Sequence, residues 1–101
     1  MPGRIYRFTF DKSVPLLDAE MSLHLAILAA EGLFGEARVR MEAGYHVDQS
    51  HRLITVDGTG CVGACIVRIF TAFLIREFGP DAFEVRRVPA TLASGPVQEA
   101  A

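Results

Sequence analysis

Residues 37–57, ARVRMEAGYHVDQSHRLITVD, decide the fold. From Ala37 to Val47 apolar or small residues occupy every second position, with Arg38, Arg40, Glu42 and His46 between them. That period of two predicts a strand with one buried face and one wet face. Asp48-Gln49-Ser50 reads as a turn, and HRLITVD (51–57) returns as the next strand. The stretch is therefore expected to be a β-hairpin in the middle of the chain.

The flanking segments complete a repeated order. RIYRFTF (4–10) alternates, with Tyr6, Phe8 and Phe10 expected to face a core. A helix is predicted from about Leu16 to Gly32 or Gly35, with Leu16, Ala19, Leu23, Ala26, Ile27, Ala30 and Phe34 on one stripe. After the hairpin, Gly58-Thr59-Gly60 leads into a second helix, about Cys61 to Phe78, which Gly79 and Pro80 end. Its expected core stripe is Val62, Ile66, Ile69 and Phe73. FEVRRV (83–88) is the last strand. The order βαββαβ predicts an α+β fold of the ferredoxin-like type: a four-stranded, mostly antiparallel sheet with two helices on one face. Residues 1–89 are expected to form this one domain, and 90–101 a loose tail.

Half of the 101 residues are hydrophobic, and the mean hydropathy is positive. A domain this small cannot hide so much apolar surface alone. The first helix carries a second apolar strip, Leu17, Met21, Leu25 and Leu28, set off on one side by Glu20, His24 and Glu31. These four residues are the expected contact between copies of the chain. Arg68 and Arg76 break the longest apolar run, so no membrane span is expected. Met1–Phe10 holds no stretch of signal-peptide length, and a cytoplasmic location follows as an expectation. Two cysteines four residues apart are then reduced thiols.

The net charge of −2 exerts no general pull on nucleic acid. Its layout is uneven, because Arg7, Arg38, Arg40 and Arg86 all fall in predicted strands, which makes a basic sheet face. That face lacks outward aromatics for base stacking, so only phosphate contacts are open to it, and nucleic acid is not the expected partner.

Gly58-Thr59-Gly60-Cys61-Val62-Gly63 spells G-x-G-x-x-G between a predicted strand and a predicted helix. Glycines there let backbone amides approach an anion. Against a dinucleotide site stand the absence of a parallel-sheet pattern and the carboxylate of Asp57. A tight turn capped by Thr59 or Asp57 explains the same glycines without a ligand. Cys61 and Cys65 share a helix face, and the helix-start amides make Cys61 the candidate reactive thiol. His46 and His51 flank the hairpin turn, but His46 points to the wet sheet face and the cysteines to the other side, so no metal site is expected, and no cofactor either.

VDGTGCVGACIVRI (56–69) with FEVRRVP (83–89) resembles the third-strand, helix and fourth-strand part of bacterial microcompartment shell proteins. LLDAEMSLHLAILAAEGLFG (16–35) departs from that family, having no counterpart of its interfacial lysine. The resemblance serves as an analogy for building oligomers. The expected function is thus a non-enzymatic homo-oligomeric module for assembly or for binding a small anion. The alternatives are a small thiol- or nucleotide-dependent enzyme working at Gly58–Cys65, and a nucleic-acid binder using the arginine face.

Overall fold

The computed structural model describes residues 4–89; the expected tail, 90–101, lies outside the described residues. The described residues are α+β, with a four-stranded antiparallel sheet and three α-helices. The elements are β1 (Ile5–Phe10), α1 (Leu16–Phe34), α2 (Glu36–Glu42), β2 (Tyr45–Asp48), β3 (Leu53–Asp57), α3 (Gly60–Phe78) and β4 (Phe83–Val88), with a 3-10 turn at Pro80–Ala82. The strands lie in the order β2-β3-β1-β4.

The hairpin forms, but it is shorter than its sequence pattern predicts. Residues 36–42 are helix, not strand. Glu36 and Arg40 form an ion pair at 2.7 Å, and Arg38 and Glu42 another at 3.0 Å, both at the i,i+4 spacing that only a helix brings together. The expected second strand is thus cut to Tyr45–Asp48, and the expected two helices become three.

One face of the sheet is the core. Phe8 lies opposite Ile54 and Tyr6 opposite Val56, so Tyr6, Phe8, Phe10, Ile54 and Val56 all point the same way. α1 and α3 pack over them side by side, and Ser22 on α1, itself buried, donates its hydroxyl to Glu77 Oε1 at 2.7 Å. From α1 the buried residues are Ala19, Ser22, Leu23, Ala26 and Ala30. α3 is rolled relative to expectation. It buries Val62, Gly63, Ile66, Val67, Phe70 and Leu74, while Ile69 and Phe73 pack at the edge. α2 adds Val39 to the same cluster. No helix among the described residues is long and apolar enough to cross a membrane.

The turn between β2 and β3 is tied down by charge. The Asp48 carboxylate accepts from the Ser50 hydroxyl at 2.8 Å and lies 2.9 Å from His51 Nδ1. The Ser50 bond, then His51, holds its pKa down to about 2. Arg52 takes a positive φ of 53° and sends its guanidinium to the carbonyls of Asp11 and Val14, fastening this turn to the β1–α1 connection.

Candidate functional site

The loop at Gly58 joins the end of β3 to the start of α3 and is stitched to the start of β1. Gly58 N–H donates to the Arg4 carbonyl at 2.6 Å, and Arg4 N–H donates to Thr59 Oγ1 at 2.8 Å. The Thr59 hydroxyl therefore does not cap α3, contrary to one expectation. Asp57 Oδ1 accepts from Thr59 N–H at 2.9 Å, so the carboxylate closes the turn just before the helix.

Each glycine of the motif has a packing or backbone reason. A Cβ on Gly58 would stand 2.6 Å from the Tyr6 ring, and one on Gly63 would stand 2.4 Å from the Asp57 carbonyl oxygen. Gly60 takes a φ of +78°, which L side chains rarely adopt. The first turn of α3 thus packs directly on the end of β3. Val62 is buried in the core beside Gly63. With the Asp57 carboxylate at its mouth, the loop is built for close contact between helix and strand.

Cys61 is exposed and Cys65 is half-buried, both as free thiols. They share an outward face of α3 with the exposed Arg68, Ala72 and Arg76, as the spacing implies. On accessibility, Cys61 should be alkylated several-fold faster than Cys65 in the native protein at neutral pH. Mass-spectrometric labelling rates check this, and equal rates would show that access does not separate the two thiols. Among the described residues, no three His, Cys, Asp or Glu side chains converge as a metal set.

The four arginines of the expected basic face do not meet. Arg7 and Arg86 lie directly opposite each other on β1 and β4, on the sheet face turned away from the helices. Arg38 and Arg40 are on α2 because that segment is helix. Arg38 lies 5.1 Å from the Phe34 ring centre and bonds Glu42, while Arg40 pairs with Glu36. The outer sheet face carries Asp48, Asp57 and Glu84 alongside Arg7, Arg86 and His46. Glu84 pairs with Arg86 at 3.1 Å. The face is mixed in sign rather than basic.

The strip on α1 stands out from the surface as a row. Leu17, Met21, Leu25 and Leu28 are 68%, 55%, 55% and 59% exposed. They run along about 16 Å of helix, from the 1.5 Å rise per residue, on the side of α1 opposite its buried residues. His24 and Glu20 border them, 3.8 Å apart, and the His24 ring meets Tyr45 edge-on at 5.6 Å.

Grooves open elsewhere among the described residues. One, of about 470 Å³, lies between Phe10 and the Pro80–Glu84 segment and is edged by Asp11, Asp81 and Glu84. Another, of about 250 Å³, lies beside Leu17, Glu20, Gln49 and Arg52 at the start of α1. Neither includes a residue of Gly58–Cys65. No family model, curated protein or solved structure matches the chain.

Proposed function

We propose that the protein is a non-enzymatic, homo-oligomeric assembly module of the cytoplasm, whose copies join through α1. The observation that carries this reading is the apolar strip of Leu17, Met21, Leu25 and Leu28, which lies on the side of α1 opposite the side that already packs on the core. A helix apolar on both sides is a helix covered on both sides. The spacing suits a second copy of itself. Two such helices laid antiparallel about a two-fold axis put Leu17 against the partner's Leu28, and Met21 against the partner's Leu25. The two free cysteines suit a reducing compartment.

The same reading takes the fold as ferredoxin-like, with α2 an added helix. In its support, α1 and α3 each join strands that are not neighbours in the sheet, since β3 lies between β1 and β2, and β1 between β3 and β4.

Light scattering on the wild type at micromolar concentration should find a dimer or a larger species. Leu25→Glu should at least halve the mass of that species and leave the circular dichroism spectrum unchanged, because Leu25 is exposed and stands outside the buried cluster. A wild type that is monomeric across the micromolar range overturns the reading.

A further inference from the structure

The two edges of the sheet are not alike. β2 is four residues long and ends in the Asp48 turn, the kind of short edge that resists pairing. β4 is six residues long, with no proline, lysine or bulge, and each residue from Phe83 to Val88 faces one residue of β1 in unbroken register. On its other side, among the described residues, the sheet ends.

Main-chain directions follow from two bonds. Phe10 N–H donates toward β3, to the Arg52 carbonyl at 3.0 Å, and Asp11 N–H donates the other way, to the Ala82 carbonyl at 2.9 Å. Hydrogen bonding alternates along an antiparallel pair. So Glu84, Arg86 and Val88 turn their backbone groups to β1, while Phe83, Val85 and Arg87 turn theirs outward.

We propose that this edge pairs with the same edge of a second copy, antiparallel about a two-fold axis at Val85, to make one continuous eight-stranded sheet. The side chains select that register. With Val85 opposite the partner's Val85, Glu84 lies opposite the partner's Arg86, and the two-fold repeats the pair. A slip of two residues one way sets Arg86 against the partner's Arg86, and the other way Glu84 against the partner's Glu84; like charges directly opposite are unfavourable. Arg87 is a charge on the helix side of an edge strand, a usual deterrent to pairing. In this register it lies opposite the partner's Phe83 ring, which a guanidinium favours. The interface is separate from α1, so the two together link copies in two directions.

The test is run in Leu25→Glu protein, where the α1 contact is removed, with Met21→Glu as a second such background. Sedimentation at micromolar concentration should show a dimer. Adding Val85→Pro should raise its dissociation constant at least tenfold, since that N–H points away from β1 and its loss spares the sheet. Glu84→Arg should do the same, and Glu84→Arg with Arg86→Glu should restore the dimer. A monomeric Leu25→Glu protein overturns the β4 pairing while leaving the α1 reading in place. A dimer unmoved by Val85→Pro overturns it too. If Leu25→Glu leaves the wild-type mass unchanged and Val85→Pro lowers it, the α1 reading fails and the β4 pairing stands.

Discussion

Replacing Gly63 with alanine should cost about 3 kcal/mol of stability, at the upper end of what an added methyl group does in a packed interior. The new Cβ would stand 2.4 Å from the Asp57 carbonyl oxygen, 2.9 Å from the Gly58 carbonyl carbon and 3.0 Å from Gly58 Cα. All three are backbone atoms held by bonds to Arg4 and Thr59, so no side chain can swing aside. The first turn of α3 must lift off β3 instead. Gly60→Ala is the control. Its Cβ meets nothing, and only the positive φ is strained, for a loss of about 1 kcal/mol. Urea denaturation separates the two by their midpoints. A domain of this size has about 5–15 kcal/mol to lose, so the Gly63 effect is plain to see. If Gly63→Ala unfolds at the wild-type midpoint, close packing is not what the motif is for.

Phe8→Ala should cost more, about 4 kcal/mol. Phe8 has no exposed surface and sits on β1, with the Phe70 ring of α3 at 4.7 Å and the Phe83 ring of β4 at 6.4 Å. Through its ring an inner strand meets both an edge strand and a helix. Its removal leaves a cavity that none of the three elements can close alone. A double-mutant cycle of Phe8→Leu with Phe70→Leu should give a coupling of about 1 kcal/mol, the usual worth of an aromatic pair beyond its buried area. A loss below about 2 kcal/mol for Phe8→Ala would mean that the core re-closes around the gap.

Most of the framework can be read from residue order. Tyr6, Phe8 and Phe10 alternate toward the core as expected, with Ile54 and Val56 on the same face, and α1 ends at Phe34, where Gly35 takes a φ of +90°. The misreading lies at 36–43, and its cause is physical. Over seven residues a period of two and a period of 3.6 place apolar side chains almost equally well. Alternation implied that Ala37, Val39 and Met41 shared a buried face; Val39 is buried, but Met41 is 86% exposed. The deciding signal was charge at i,i+4, Glu36 with Arg40 and Arg38 with Glu42, in a run of strong helix formers. That one error also scattered the expected basic face, because half of its arginines were on α2. The outward strip of α1 was legible because a 19-residue helix samples its own period five times. The packing role of the Gly58 loop was not, since a close approach of backbone to backbone and an anion cradle require the same glycines.

The position of β1 shapes how the chain is made. It leaves the ribosome before the other three strands of its sheet, yet it lies inside that sheet, and its neighbours are residues 53–57 and 83–88. At 5–20 residues per second, roughly 4 to 16 s separate the synthesis of Phe10 from that of Val88. Through that interval IYRFTF, a β-prone segment without glycine or proline, waits with one or both flanks bare. Arg7, near its middle and facing away from the core, is then a gatekeeper: set opposite Arg86 in the finished sheet, its charge discourages two nascent chains from joining through this strand.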